Sequence, residues 1–418
     1  MSEYIKGNKS GGAPYPLEGI RVLEWGAYVT APLACAMLAQ LGAEVIKIEE
    51  PVKGDPLRGY RGHQGVTFST KEGINIGFQL QNSNKKGLTL DLGTKEGLEI
   101  FNKLAKTSDI FCTNYREKIL ARLGLDYETV HRMNPKLIYA IGTSWGEKGP
   151  DADGRAVDYT IQARSGLMHL VGDREYNRPF FSFFGQSDVT GATTLTMGII
   201  TALFYRAQRG SGQKVETSML HSQMYQDSFL GDIGILLHRP VSQHSRTGAT
   251  NPLGNLYRCG DDKWLVLSEI QPDRFWHNFC EAVGLENYEN DPRFKDMPSR
   301  ARNKEALIKI LDDLFATKPR DDWENILREK GGGLSFSRVN DIADLRNDPQ
   351  VIANEYITTF EHPDLKDAKV TSFPLRFAEC AIRPRGRAPE LGESTEELLL
   401  EIGYGWDDIV ALKEKGVV

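Results

Sequence analysis

The sequence predicts an α/β fold, with a Rossmann-like parallel sheet in a large domain and a second, smaller α+β domain. Residues 19–25 alternate and are β-rich, residues 32–41 have helical spacing, and residues 43–49 form a second strand-like run. A strand, a helix and a strand in this order form a βαβ unit, which builds a parallel sheet with right-handed crossovers. In such a sheet, ligands bind at the carboxyl ends of the strands.

Later segments extend this sheet and indicate the domain boundaries. Strand-like runs follow at 88–92, 109–113 and 137–142, and a hairpin around residues 260–262 begins a second domain. The predicted organisation is a flexible N-terminal tail (1–16), a large domain (17–237), a linker (238–252), a small domain (253–345) and a C-terminal segment that returns to the large domain (346–418).

Composition excludes several classes of function. The 418 residues carry 51 Lys and Arg against 57 Asp and Glu, and a net charge of -6 offers no global positive field to nucleic acid or an anionic membrane. The five cysteines are scattered without a CxxC pair, which argues against a metal site and fits a reducing cytoplasm. The polar N-terminus is unlike a signal peptide, and no apolar stretch reaches the ~20 residues of a membrane span. We therefore expect a cytoplasmic protein.

Asp188 is the candidate catalytic residue. It stands at the head of a long apolar segment whose spacing predicts a buried helix closed by glycines at 210 and 212. At or just before a helix N-terminus, a carboxylate accepts bonds from free backbone amides, and the helix dipole keeps it ionised at neutral pH. An ionised, positioned carboxylate can act as a nucleophile. The alternative is that Asp188 only caps the helix.

Cations in the predicted loops after strands indicate a polyanion site. Arginine offers bidentate contacts to phosphate, and the loops that follow parallel strands present ligand contacts. Singly, each such residue is equally compatible with a solvated surface charge. The candidates are Arg58, Lys85, Arg116, Arg122 and Arg155.

An ordered set of motifs carries a family resemblance. The segments lie at residues 16–22, 42–49, 54–58 and 84–86 and around Asp188, and the likeness runs from about Leu17 to the C-terminus. Together they resemble the class III CoA-transferase family, which includes formyl-CoA transferase and carnitine CoA-transferase.

The resemblance implies a two-domain α/β subunit in an interlocked dimer, formed with itself or with a paralogous chain. It also implies that Asp188 attacks an acyl-CoA thioester, giving an acyl-aspartyl anhydride and then an aspartyl-CoA thioester, from which an acceptor acid leaves as the new acyl-CoA. Coenzyme A is thus a substrate, and no metal or prosthetic group takes part. An anhydride survives only where water is excluded. The phenylalanines at 180, 181, 183 and 184 could form an apolar wall that excludes water from the anhydride.

The resemblance also assigns residues to the CoA site. Arg122 is the firmest candidate, the segment Asn114, Tyr115 and Arg116 matches the family's CoA contacts, and Arg155 matches a nearby basic position. Asp158 and Gln162 match a patch beside the active site, for which the alternative is a polar cluster at a helix start.

Departures from the family pattern bear on the substrate. Val29 replaces an active-site Gln, residues 242–251 replace a tetraglycine lid, and 337–339 replace a Gly-Pro-Val. Oxalate or formate is therefore disfavoured. The aromatic residues near Asp188 favour a bulky, apolar or aromatic acid as acceptor, and succinyl-CoA is a donor suggested by the resemblance alone.

Three functions other than CoA transfer are alternatives. An α-methylacyl-CoA racemase shares the fold but needs a His as second base, and the corresponding residue here is Val157, which cannot carry a proton. A non-catalytic partner subunit is disfavoured by the intact Asp188. A nicotinamide-dependent dehydrogenase is disfavoured because the turn at 25–32 lacks GxGxxG.

Overall fold

The structure is a computed structural model that describes residues 13–176, 178–241 and 243–418. Most of the predicted N-terminal tail, residues 1–12, lies outside the described residues. So does Ser242, which belongs to the predicted linker. No helix in the described part of the chain is long and apolar enough to cross a membrane.

Thirteen short strands occur in the described residues. They are β1 (Arg21–Trp25), β2 (Glu44–Glu49), β3 (Gly62–His63), β4 (Val66–Thr67), β5 (Lys86–Thr89), β6 (Ile110–Thr113), β7 (Ile138–Thr143), β8 (Lys214–Ser218), β9 (Gly254–Arg258), β10 (Trp264–Ser268), β11 (Phe336–Arg338), β12 (Ile357–Thr359) and β13 (Lys369–Thr371).

Eighteen α-helices accompany these strands in the same residues. They are α1 (Thr30–Gln40), α2 (Ile76–Gln81), α3 (Lys95–Thr107), α4 (Glu117–Leu123), α5 (Tyr127–Met133), α6 (Asp158–Ser165), α7 (Leu167–Leu170), α8 (Gln186–Arg209), α9 (Met219–Gln226), α10 (Ser228–Leu237), α11 (Pro272–Val283), α12 (Glu286–Glu289), α13 (Met297–Arg302), α14 (Lys304–Phe315), α15 (Arg320–Lys330), α16 (Pro349–Ala353), α17 (Thr395–Glu401) and α18 (Trp406–Glu414).

The predicted parallel sheet is confirmed. Six parallel strands pair in the order β5-β2-β1-β6-β7-β8, which is the Rossmann order 3-2-1-4-5-6 when these strands are counted along the chain. Helices cover both faces: Val22 of β1 packs with α1 and α8, while Leu23 packs with α3, α17 and α18. The order in which strands are added to the sheet reverses between the parallel strands β1 and β6, so the loops after these two strands border the crevice where such sheets bind ligands.

The chain divides into two compact units. The first comprises the described residues up to Leu167, Phe181–Arg239 and Ile352–Val418, and the second comprises Met168–Phe180 and Pro240–Val351. In the second unit, helices α11 to α15 accompany the antiparallel sheet β11-β10-β9, so the smaller domain is α+β as predicted. The segment Met168–Phe180, which the sequence analysis placed in the large domain, groups with this unit through the bridge of Asp173 to His244.

A buried ion network lies beneath the carboxyl end of β1. The side chains of Glu24, Lys47, Asp55 and Lys85 have no exposed surface. Lys47 Nζ lies 3.0 Å from Glu24 Oε1, from Asp55 Oδ2 and from the carbonyl oxygen of Gly26. Burial alone would raise the pKa of Glu24, but the ammonium groups of Lys47 and Lys85 outweigh it and hold that pKa below its usual range. The network therefore stays charged and ties the loop after β1 to β2.

Replacing Lys47 by Met should lower the free energy of unfolding by about 3–5 kcal/mol, because Asp55 is then left buried without its cation. Urea unfolding followed by circular dichroism measures the change. Lys95→Ala is the matched control, since the exposed Lys95–Glu99 pair on α3 contributes at most about 0.5 kcal/mol. Equal unfolding midpoints for the two variants would contradict a stabilising role for the network.

Candidate active site

Asp188 lies in the first turn of α8, as its third residue. The N-cap is Gly185, whose φ of 93° falls in the left-handed region that glycine adopts without strain. The helix buries Leu195 and Ile199 against the sheet, which fixes its axis. Asp188 is therefore held by a long, well-packed element, and the residue as a whole is partly exposed at the amino end of that element.

A second carboxylate, Asp158, caps α8. Asp158 Oδ1 accepts the N–H of Ser187 at 2.7 Å, and Oδ2 accepts the N–H of Gly185 at 2.9 Å. Gln162 Nε2 donates to the same Oδ2 at 2.6 Å, and Asp158 is only 2% exposed. The free amides at the start of α8 are thus occupied by a side chain from α6. The alternative that Asp188 is merely the N-cap is wrong.

The hydroxyl of Thr30 holds Asp188, donating to Oδ1 at 2.9 Å. Oδ2 accepts no hydrogen bond within the described residues. The pKa of Asp188 is raised to about 7, chiefly by burial of its carboxyl group. The negative charge of Asp158 adds to this increase, and the hydrogen bond from Thr30 opposes it. The expectation that the helix terminus keeps Asp188 fully ionised at neutral pH is therefore wrong, because burial disfavours the charged carboxylate and Asp158 accepts the amides at the start of α8.

Thr30 is positioned by the loop between β1 and α1. Tyr28 in this loop has a φ of 62°, and its N–H donates to Asp55 Oδ1 at 3.1 Å. Asn114, after β6, accepts the N–H of Ala27 at 3.0 Å and donates to the carbonyl oxygen of Ala27 at 2.8 Å. Asn114 thus joins the two loops that border the sheet's crevice, and it fixes the loop that leads to Thr30.

Two of the predicted phosphate ligands are occupied by other protein groups. Lys85 Nζ lies 2.6 Å from Glu24 Oε2 and donates to the carbonyl oxygen of Pro32 at 2.8 Å. Arg58 binds both oxygens of Glu49 at 2.8 Å. Lys85 has no exposed side-chain surface, so in this structure it offers no donor to a ligand. Arg58 and Lys85 therefore stabilise the protein below the crevice through contacts with other protein groups.

The three other predicted cationic ligands lie at the surface of the protein. Arg116, Arg122 and Arg155 are exposed, and Arg116 Nη1 donates to the carbonyl oxygen of Asp153 at 2.8 Å. The Tyr115 ring stacks on Trp25 with centroids 4.1 Å apart. Tyr115 and Arg116 follow β6, Arg122 lies in the last turn of α4, and Arg155 lies in the segment before α6.

Two adjoining cavities are lined by most of the exposed candidate ligands. One, of about 780 Å³, is lined by Arg116, Lys118, Ile119, Arg122 and Asp153. The other, of about 220 Å³, shares Ile119 and Arg122 and reaches Trp25, Gly26, Asp55 and Tyr115. Asp188 lines neither. Arg155 also lines neither, so the structure brings Arg116, Arg122 and Tyr115 together and leaves Arg155 apart.

An aromatic cluster adjoins the amino end of α8. Phe184, just before Gly185, stacks on His63 with ring centroids 4.1 Å apart and meets Tyr159 edge-on at 5.5 Å. Tyr159 also contacts Phe181, with centroids 4.6 Å apart. Of the four predicted phenylalanines, Phe181 and Phe184 belong to this cluster and Phe183 is 66% exposed, whereas Thr30 and His63 were not predicted from the sequence. His63 lies in a short hairpin without hydrophobic periodicity, and Thr30 is one polar residue at a helix start, so neither had a signal in the sequence.

Replacing Thr30 by Val should raise the pKa of Asp188 above its value near 7, because the hydroxyl favours the ionised carboxylate. The ¹³C NMR titration of labelled aspartate measures this, with the resonance assigned by its loss in Asp188→Asn. Thr193→Val on the same helix is the control, since that hydroxyl bonds only the carbonyl oxygen of Val189. Identical titrations in wild type and Thr30→Val would contradict the role of Thr30.

Known proteins are similar to this chain in sequence over nearly its whole length. Residues 17–395 match the sequence profile described as CoA-transferase family III. The (R)-2-hydroxy-4-methylpentanoate CoA-transferase of Clostridioides difficile is 32% identical over 96% of this chain and 99% of its own length. The cinnamoyl-CoA:phenyllactate CoA-transferase of Clostridium sporogenes is 33% identical over 96% of this chain and 97% of its own length.

The fold agrees with that of a solved structure. A CaiB/BaiF family protein from Brucella suis superimposes with a TM-score of 0.81 at 25% identity, covering 93% of this chain and 100% of that one. The profile spans most of the chain, and both sequence relatives are matched over nearly their whole length. As the resemblance predicted, the chain belongs to CoA-transferase family III.

Proposed function

We propose that the chain transfers coenzyme A from an acyl-CoA to an organic acid through covalent intermediates on Asp188. The observation that carries the proposal is the pair of carboxylates at α8, where Asp158 caps the helix and leaves Asp188 Oδ2 free to attack. A helix cap needs one carboxylate, and a second, raised in pKa and held by one hydroxyl, is suited to nucleophilic catalysis.

The proposed reaction is a series of acyl transfers without a redox change. The Asp188 carboxylate attacks the thioester carbonyl, and the C–S bond breaks to give an acyl-aspartyl anhydride and CoA thiolate. The thiolate attacks the aspartyl carbonyl, which releases the donor acid and leaves an aspartyl-CoA thioester. The acceptor carboxylate repeats these two steps in reverse, so its acyl group leaves as acyl-CoA and Asp188 is regenerated. Thr30 holds one carboxylate oxygen while the other reacts.

We assign the CoA phosphates to the cavity lined by Arg116 and Arg122, with Tyr115 in its neighbour and Arg155 at a separate exposed position. Exposed guanidinium groups at the carboxyl edge of a parallel sheet suit bidentate phosphate contacts. Asn114, Arg58 and Lys85 act on the same site through the loops that they fix.

We infer that the acceptor is a bulky 2-hydroxy acid with an apolar or aromatic side chain. The two relatives described above, at 32% and 33% identity, are named for 2-hydroxy-4-methylpentanoate and phenyllactate, which share this chemistry. The aromatic cluster of Phe184, Phe181 and Tyr159 beside α8 supplies a matching apolar surface. Succinyl-CoA is one possible donor, on the family resemblance alone.

We further propose that the chain works as a dimer, interlocked as the family resemblance implies, with a second copy as partner. Helix α10 is apolar in sequence, yet none of its residues is buried. Phe229 is 86% exposed and Leu236 75% exposed. A helix that is hydrophobic all round is normally covered, and a second copy of the chain would cover it.

Incubating the protein with a panel of acyl-CoAs should give a covalent adduct on wild type and none on Asp188→Ala, because the variant lacks the attacking oxygen. Intact mass after hydroxylamine trapping measures it. Asp407→Asn, an exposed first-turn position on α18, is the control. If neither protein carries an adduct while CoA still binds, the nucleophile assignment fails and the non-catalytic partner subunit becomes the better hypothesis.

The rate of adduct formation should rise with pH through about 7 and level off about one pH unit higher. The nucleophile is the ionised form, and burial raises the pKa of Asp188 to about 7. Below that pH, protonation removes the nucleophile. Quenched-flow mass spectrometry between pH 5 and 9 measures the profile. A rate independent of pH across this range would show that Asp188 is already fully ionised at pH 5.

Phe229→Asp should weaken the dimer, because it places a charge in the apolar surface of α10. Sedimentation velocity should show wild type as a dimer and the variant partly as a monomer. Val410→Asp on α18, where the side chain is 52% exposed, is the matched control and should remain dimeric. A monomeric wild type at micromolar concentration would overturn the proposed dimer.

A further inference from the structure

One buried polar atom beside the candidate active site has no partner. His63 belongs to the hairpin of β3 and β4, which pairs through Gly62–Thr67 and His63–Val66. Its Nδ1 lies 3.0 Å from the hydroxyl of Tyr60. Its Nε2 is buried and makes no hydrogen bond to any described residue. A buried polar atom without a partner is costly, so such an atom at a functional site points to a ligand.

The surroundings of His63 are aromatic. Its ring stacks on Phe184 at 4.1 Å and contacts Tyr159 at 5.5 Å between centroids. Phe68 extends the cluster, with its ring 5.8 Å from that of Tyr60 and 6.2 Å from that of Phe184. The orphan nitrogen is therefore an unpaired polar atom among aromatic rings, and sites for organic ligands usually combine an apolar lining with a few such polar atoms.

The cluster is fixed to the same elements that hold the nucleophile. Tyr159 follows the capping residue Asp158 directly in α6, and Phe184 immediately precedes Gly185 at the start of α8. Gln162 Nε2 bonds both Asp158 and the carbonyl oxygen of Phe183. A group bound by His63 is thus placed relative to Asp188 by one rigid set of contacts.

The neutral imidazole admits two arrangements here. If Tyr60 donates to Nδ1, then Nε2 carries the proton and needs an acceptor; if Nδ1 donates to Tyr60, then Nε2 needs a donor. A hydroxyl group can both donate and accept, so it satisfies either tautomer. A carboxylate satisfies only the first, and the acid's carboxylate is required at Asp188 for transfer.

We propose that His63 Nε2 binds the 2-hydroxyl group of the acid substrate and that the surrounding rings of Phe184, Tyr159 and Phe68 contact its apolar side chain. This inference rests on the proposed CoA transfer and deepens it, because it names the residue that distinguishes a 2-hydroxy acid from the same acid without the hydroxyl. Phe181, which contacts Tyr159 and is 61% exposed, borders the cluster on its solvent side.

The test compares 3-phenyllactate with 3-phenylpropionate as acceptors for the full-length protein, using the acyl-CoA that gives the Asp188 adduct. In wild type, kcat/KM for the hydroxy acid should exceed that for the deoxy acid by about 10- to 100-fold, as expected when the analogue leaves a buried group unpaired. In His63→Phe, which keeps an aromatic ring, this ratio should fall to about one. His63→Gln, which retains a polar amide, should restore part of it.

The ratio separates specificity from damage to the fold, because misfolding lowers both rates together. His277→Phe, at an exposed position on α11 in the second unit, is the control and should keep the wild-type ratio. Two results would overturn the assignment: a wild type that uses both acids equally, or a ratio unchanged in His63→Phe. If wild type transfers CoA to neither acid nor to any other carboxylic acid, the proposed function itself fails.

Discussion

The arrangement of the site depends on one interaction, the capping of α8 by Asp158. A helix of this length exposes several N–H groups at its start, and whichever carboxylate accepts them is stabilised in its charged form. Because Asp158 comes from a different helix and takes those bonds with both oxygens, Asp188 in the same turn is left with a single hydroxyl donor. Two neighbouring carboxylates thereby acquire different surroundings: Asp158 caps the helix, and Asp188 keeps one oxygen without a hydrogen bond among the described residues.

The hydroxyl that holds Asp188 is itself positioned by the buried charges beneath β1. Lys47 joins Glu24 to Asp55, and Asp55 fixes Tyr28 in a left-handed conformation two residues before Thr30. Asn114 adds a second constraint by binding both backbone groups of Ala27 from the neighbouring loop. The loop therefore has little freedom, which suits a residue that holds one oxygen of Asp188, the proposed nucleophile, in place.

The sequence predicts the sheet and the position of Asp188 at the head of α8, since both depend on local apolar patterns. It does not predict which carboxylate caps that helix, because Asp158 lies thirty positions earlier in the chain and meets α8 only in the folded protein. Arg58 and Lys85 show the same difficulty: a basic residue after a turn looks alike in sequence whether it binds phosphate or a buried glutamate. His63 acquires its surroundings only when its hairpin packs on Phe184.

Burial of Asp188 also bears on the energetics of the covalent intermediates. No cation lies within ion-pairing distance of Asp188 among the described residues, so its carboxylate is poorly solvated and its pKa rises to about 7. Forming a neutral anhydride or thioester removes that charge from the buried position, whereas the released carboxylate or thiolate can move toward water or the arginine-lined cavity. On the proposed mechanism, the same desolvation that makes the free carboxylate costly favours the acylated forms of Asp188.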